Sequence, residues 1–338
     1  MPRLVTWRAP STPFRAQHVP VGREFLRQAE SRGELMRLAC GVYIATAASS
    51  QDARMQHLLQ ALALQVRFDN PIVCSHETAA ALHGIPLLHS SDLPATPRFI
   101  LDPDQGRNRP GTPRIQVTPL PAGHICTVTD GPLAGLVATT PARTALDLTS
   151  EGDLVRGLMA LDHVARTRAL RWCRPGDLRG PNVRPERLRA AVSELDDVHA
   201  TLTRRGRRRR REALTLVDPR HESPGESASI ARIHQAGLPA PLVQARIQTD
   251  DGTFFSDFYW PDFGVVGECD GAVKYLGGMT SEGQAAADQR RIQEKSREIA
   301  IVRRGLTFVR WMASEPMYSP WRWLDHLTHA LRAGGADV

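Results

Sequence analysis

The 338-residue chain is 41% hydrophobic, has a formal net charge of +7 and contains five cysteines. That length and apolar content predict about two or three domains with packed cores. No apolar run approaches membrane-spanning length, which argues against a membrane protein, and the scattered cysteines (Cys40, Cys74, Cys126, Cys173, Cys269) form no Cys-x-x-Cys pair, which argues against a disulfide framework or a structural zinc.

Residues Met1 to Arg8 lack the apolar stretch of a signal peptide, so the expected location is cytoplasmic, with no membrane partner. The first 20 residues read as an irregular lead-in, and Gly22 to Glu30 as a helix. Gly33 to Ile44 alternates like a short hairpin. Met55, Leu58, Leu59, Leu62 and Val66 are spaced along one helical face. Ser75 is placed to cap a short helix ending at Gly84 and Pro86. On it, His76 and His83 lie seven apart on one face; no Cys or carboxylate constellation accompanies them, so packing or capping is expected rather than metal binding.

Arg98 to Val137 reads as several strands with turns at Asp102–Gly106 and Asp130–Pro132. Thr140-Pro141 opens a helix with Pro at its first position after a Thr cap. Two more helices follow, one from Leu154 to Ala165 and one after Pro185 with Leu188, Val192 and Leu195 on a face. Next come Arg204, Arg205, Arg207, Arg208, Arg209, Arg210 and Arg211, which carry the whole net charge and leave the rest of the chain near neutral. Such a patch attracts nucleic-acid phosphate. The competing reading is a solvated linker, in a chain where lysine occurs only at Lys274 and Lys295. The run is also the expected main domain boundary, giving parts 1–90, 91–203, a basic linker 204–214, and 215–338.

The last third has the clearest order. Ser223-Pro224-Gly225-Glu226 fits a capping box with Pro at N1, opening a helix that closes at Gly237 and Pro239. Val243, Ala245 and Ile247 alternate with Gln244, Arg246 and Gln248 in a strand. Two strands follow, around Asp257 and Glu268, turned at Pro261-Asp262-Phe263-Gly264. A helix from near Ala285 to Arg304, a strand Leu306–Trp311 and a helix Trp321–Ala333 complete an α-β-β-β-α-β order, an α/β architecture around a small mixed sheet.

If the Pro261–Gly264 turn is symmetric, Asp257 and Glu268 are directly opposed across the hairpin, with Asp270 on the same face as Glu268. Directly opposed side chains have Cβ atoms about 4.5–5.5 Å apart, where like charges destabilise. On a half-buried face, two carboxylates are costly without a partner. Mg²⁺ or Mn²⁺, held by one or two carboxylates and phosphate oxygens, would supply one. An exposed acidic face holding no ion is the alternative.

Glu222-Ser223-x-x-Glu226, Gly237-Leu238-Pro239, Gln244, Asp257-Phe258-x-Trp260-Pro261, Glu268-x-Asp270-Gly271, Glu294-Lys295-x-Arg297-Glu298, Gly305 and Val309-Arg310-Trp311 together resemble the very-short-patch-repair endonuclease-like domain of unknown function, of the PD-(D/E)XK superfamily. The resemblance covers roughly residues 215–315. It implies a metal-dependent DNA endonuclease with Asp257 and Glu268 as ligands and the Cys269 carbonyl as a candidate third. The pattern departs where the lysine of E-x-K belongs: Asp270 stands there, either as a further ligand or as a sign of a decayed site. Lys274, reaching back from the loop, is the candidate substitute, against a plain surface role. Glu226 is expected to act as the capping-box partner.

The front of the chain resembles the AbiEi-type antitoxin and transcriptional-regulator family through Gly33-Glu34-Leu35-x-Arg37-Leu38-x-x-Gly41-Val42-Tyr43, Ser75-His76-x-x-Ala79-Ala80-x-Leu82-His83-Gly84-Ile85-Pro86 and Thr140-Pro141-x-Arg143-Thr144-Ala145-x-Asp147. That resemblance implies a DNA-binding winged helix, although one helix before the hairpin is convincing where a helix-turn-helix needs two. The resulting expectation is a Mg²⁺-dependent endonuclease with an antitoxin-like DNA-binding front. The alternative is a DNA-binding regulator with a degenerate nuclease domain and a toxin or operon partner.

Overall fold

The computed structural model describes residues 7–68, 72–88, 92–105, 114–180, 183–271 and 294–338. Lys274 and the expected helix start near Ala285 lie outside them. The chain forms two compact units, Met1–Leu148 and Thr149–Val338, both mixing helices and sheet.

In the first unit, β1 (Phe14–Arg15), β2 (Leu35–Ala39) and β3 (Val42–Ala45) make an antiparallel sheet in the order β1-β3-β2. Helix α1 (Arg23–Ser31) buries only Leu26 and Ala29, in a small core with Phe14, Leu35 and Tyr43. Among the described residues, α1 is the one α-helix ahead of that hairpin. Helix α2 (Ala53–Arg67) starts where the Asp52 carboxylate accepts from the Arg54 amide. It buries Leu58, Leu59 and Leu62, with Met55 and Val66 packed at their margin, so the expected face is the observed one.

Strands β4 (Val73–Cys74), β5 (Phe99–Leu101), β6 (Ile115–Val117), β7 (Ile125–Thr127) and β8 (Val137–Thr139) form a mixed sheet in the order β6-β5-β4-β8-β7. Val73 pairs with Ile100. One sheet therefore spans the expected boundary at 90/91, and these stretches are a single unit. Helix α3 (His76–His83) joins the sheet's elements, and α4 (Pro141–Glu151) begins where the Thr140 hydroxyl accepts from the Arg143 amide.

The second unit begins with α5 (Leu154–Ala169), α6 (Pro185–Thr201) and α7 (Arg207–Leu214). The arginine run is thus a packed helix rather than a basic linker. Its inward residues are Ala213 and, against expectation, Arg210. Then come α8 (Pro224–Gln235), β9 (Leu242–Thr249), β10 (Gly252–Trp260), β11 (Val265–Asp270), α9 (294–303), β12 (Thr307–Met312), α10 (Ser314–Tyr318) and α11 (Trp321–Ala333). The sheet runs β12-β11-β10-β9; β9, β10 and β11 are antiparallel neighbours, and β12 is parallel to β11. A parallel pair needs a long crossover, and α9 lies on that connection. The α-β-β-β-α-β order is the one the sequence predicts.

One face of this sheet is anchored by Phe258, Trp311 and Trp323, stacked at 5.4 and 4.7 Å between ring centroids. Trp260 donates its indole N–H to the Pro239 carbonyl at 2.7 Å. Because Ser256, Phe258 and Trp260 take the core side, Phe255, Asp257 and Tyr259 are turned to the opposite, half-buried face.

Candidate active site where two strands part

The ladder between β10 and β11 runs from Trp260↔Val265 through Phe258↔Gly267. One further step in that register sets Asp257 opposite Glu268. There the strands part: the Asp257 carboxylate accepts from the Cys269 amide N–H at 2.9 Å, in place of a ladder bond. The Cys269 amide is thus held by Asp257, a contact in which its carbonyl, the expected third ligand, takes no part. Burial pushes the Cys269 thiol well above its ordinary pKa, so it stays protonated and is no nucleophile.

The same acid interrupts the pairing on its other side. The β9–β10 ladder holds Ser256↔Ala245 and Phe258↔Val243 in one register, and the Gln244–Asp257 position between them is left unpaired. Gln244 has φ +48°, a left-handed conformation in the middle of a strand. For a non-glycine residue this costs on the order of 1–3 kcal/mol. The consequence is a buried amide whose Nε2 donates to Glu226 Oε2 at 3.2 Å and to Asp257 Oδ1 at 3.3 Å. The strained strand brings two carboxylates onto one side chain.

Glu226 arrives from the first turn of α8. It closes the expected cap: its Oε2 accepts from the Glu222 amide at 2.9 Å and its Oε1 from the Ser223 hydroxyl at 2.8 Å, while Ser223 Oγ accepts from the Glu226 amide. Gly225 lets this turn sit tightly on the sheet; a Cβ there would fall 2.5 Å from Ala313 Cβ and 3.0 Å from Cys269 Sγ. Burial, reinforced by the Asp257 charge, pushes the Glu226 carboxyl pKa up to about 7. Glu226 is therefore part of the site as well as the cap.

The other two acids are met by arginines. Glu268 is paired with Arg297 of α9, and Asp270 with Arg310 of β12 at 3.3 Å. Both acids are buried. Arg297 Nε is itself buried with no partner among the described residues. Burial pulls the Arg297 guanidinium below its ordinary pKa, opposed by Asp257. With Glu268 turned to Arg297, no group of three or more His, Cys, Asp or Glu side chains is gathered for a metal among the described residues. Asp257 and Glu268 still suit a Mg²⁺ ion, which needs only one or two protein carboxylates, provided Arg297 gives way. Asp270, committed to Arg310, is a brace rather than an open ligand.

Behind the cap, His221 Nδ1 meets Asp162 Oδ2 at 2.7 Å, and Asp162 Oδ1 accepts from the Asp218 amide at 2.9 Å. These buried contacts tie α5 to the segment that starts α8.

On α7, Arg207, Arg208 and Arg211 line one surface pocket with Glu212 and Thr215. Arg204, Arg205 and Arg209 are also exposed, Arg209 donating to the Ser150 carbonyl at 3.2 Å. Arg210 is different. It is 2% exposed and donates to His199 Nδ1, Ser150 Oγ and the carbonyls of Arg205 and Thr203. It stitches the helix to its surroundings and presents nothing to a nucleic acid.

His76 Nδ1 lies 3.0 Å from Ser75 Oγ, and His83 Nε2 lies 2.7 Å from the Thr139 carbonyl.

Two Mycobacterium tuberculosis proteins, Uncharacterized protein Rv2248 and Uncharacterized protein MT2308, are each 30% identical to this chain over 240 residues, covering 70% of this chain and 73% of theirs. No family model matches. The crystal structure of the RV2827C protein from Mycobacterium tuberculosis aligns over 65% of this chain and 71% of that one at 13% identity, with a TM-score of 0.36, too slight a likeness to argue from.

Proposed function

We propose a function for the chain as a member of the family to which it belongs, that of Rv2248 and MT2308 of Mycobacterium tuberculosis: it is a divalent-cation-dependent DNA endonuclease whose second unit follows the PD-(D/E)XK plan. The observation that carries this reading is Gln244. A backbone strained to bring Glu226 and Asp257 onto one amide, beside Glu268, is hard to explain as scaffolding.

In this reading Asp257 and Glu268 hold Mg²⁺ or Mn²⁺. A cation held there would supply an activated water and stabilise charge on the scissile phosphate. Gln244 fixes the Asp257 carboxylate. Glu226, with its pKa near neutrality, exchanges a proton at its carboxyl during turnover. Asp270 orients Arg310. The exposed arginines of α7 and its lead-in, Arg204, Arg205, Arg207, Arg208, Arg209 and Arg211, take backbone phosphates. The first unit, with its antitoxin-like stretches and a three-stranded sheet behind α1, is the winged-helix-like DNA-binding part.

The second reading is a non-catalytic DNA-binding regulator, antitoxin-like, with a toxin encoded beside it. The Arg297–Glu268 ion pair favours it, because a guanidinium then stands in permanently for the cation.

Calorimetric titration of the full chain with Mn²⁺ separates the two. The enzyme reading expects binding that Asp257→Asn and Glu268→Gln each largely abolish. Equal heats from the parent and the double variant would leave the regulator.

A further inference from the structure

Arg179 comes from a segment well before the nuclease-like core. It ends a short turn, Pro175–Leu178, and precedes Gly180, which has φ +70°. A Cβ on Gly180 would fall 2.7 Å from Phe255 Cε1. The turn is therefore seated against β10 at Phe255, two residues from Asp257 and on the same side of the strand.

From there Arg179 grips Glu222 with both arms of its guanidinium, Nε to Oε1 at 3.0 Å and Nη2 to Oε2 at 2.5 Å. Glu222 already has a second arginine. Arg166 donates to Oε1 at 3.2 Å and is anchored on the Pro219 carbonyl. One carboxylate needs one cation, and Arg166 is the better buried, at 15% side-chain exposure against 42% for Arg179. Arg179 also stands close enough to Asp257 and Glu226 to feel both charges. A planar fork with two parallel donors suits a phosphate as well as a carboxylate.

We propose that Arg179 is a phosphate-binding residue of this site, leaving Glu222 to take the non-bridging oxygens of a DNA phosphodiester presented to Asp257 and Glu268. The inference rests on the nuclease reading above. It makes the site composite, because the turn before α6 supplies one of its groups from outside the α-β-β-β-α-β core. Glu222 is then a parking place, with Arg166 remaining to neutralise it.

The test is anisotropy of a fluorescein-labelled DNA duplex with the full chain in Ca²⁺, read across salt concentrations. Arg179→Gln is expected to flatten the slope of log K against log salt by about 0.9, the share of one phosphate contact. Arg179→Lys should restore most of it. Glu222→Gln, which frees Arg179, should bind as tightly as the parent or more tightly, and that gain should vanish in the Arg179→Gln background. A mere brace predicts something else: Arg179→Gln and Glu222→Gln lowering the melting temperature alike and leaving the slope unchanged. That result, with the parent binding DNA, overturns the assignment of Arg179 alone. A parent chain that binds no DNA overturns it together with the reading it rests on.

Discussion

Replacing Glu226 by Gln isolates the electrostatic cost built into the site. The Glu226 carboxyl has a pKa of about 7 in the folded chain against an ordinary 4.5, first because it is buried and then because Asp257 is beside it, with the hydrogen bonds from the Glu222 amide and Ser223 hydroxyl, and then His221, partly offsetting both. Below about pH 4.5 the folded and unfolded chains both carry the proton, so the group costs nothing there. As pH rises, the unfolded chain releases its proton first, and folded stability falls until pH passes about 7. At roughly 1.36 kcal/mol per pH unit, the loss amounts to about 3 kcal/mol. Gln cannot ionise, and its amide oxygen still accepts from the Glu222 N–H; disturbing the Ser223 contact costs about 1 kcal/mol at every pH. Urea denaturation in the presence of a chelator, followed by the fluorescence of the buried Trp260, Trp311 and Trp323, reads the second unit. Glu226→Gln should be slightly less stable than the parent at pH 4.5 and more stable by about 2 kcal/mol at pH 8. Parallel pH profiles for the two proteins would refute the reasoning.

Gly225→Ala should destabilise the second unit by about 1–3 kcal/mol in the same assay, because its Cβ has no room between Ala313 and Cys269. Within the arginine run, Arg210→Ala should cost several kcal/mol, because the buried acceptors at His199, Ser150, Thr203 and Arg205 lose their donor, whereas Arg208→Ala should leave stability within about 0.5 kcal/mol. Conversely, replacing Arg207, Arg208 and Arg211 by Ser should flatten the salt dependence of DNA binding by up to about 2.7, at roughly 0.9 per phosphate. An equal stability loss at Arg208 and Arg210 would contradict the division of the helix into an outer and an inner face.

The hairpin was legible because a four-residue turn fixes register, and register decides which side chains meet. Ser223, Pro224 and Glu226 likewise announce α8 by cap chemistry alone. The arginine run was not legible as a helix. Its inward face carries Arg210, whose burial depends on partners at Ser150, Thr203 and His199 that no local pattern reveals. Gln244 hid for a related reason: it sits in phase with the exposed Arg246 and Gln248, and only its positive φ shows that the alternation breaks there. Arg297 and Arg179 join the acids across 29 and 43 residues of sequence, distances at which spacing says nothing. The boundary expected at the arginines falls instead at Leu148/Thr149. A cut near Asp218 would therefore strip α5 from α8 and expose the Asp162–His221 pair, so the full chain is the right object for every assay.

The account turns on whether the acids around Gln244 cut DNA with a metal. The full chain incubated with supercoiled plasmid in Mn²⁺ or Mg²⁺ should produce nicked circles, and chelator, Asp257→Asn or Glu268→Gln should each abolish them. Nicking that is indifferent to both substitutions, or a folded parent that binds metal and DNA yet cuts neither duplex, single-stranded nor mismatched substrate, would contradict it.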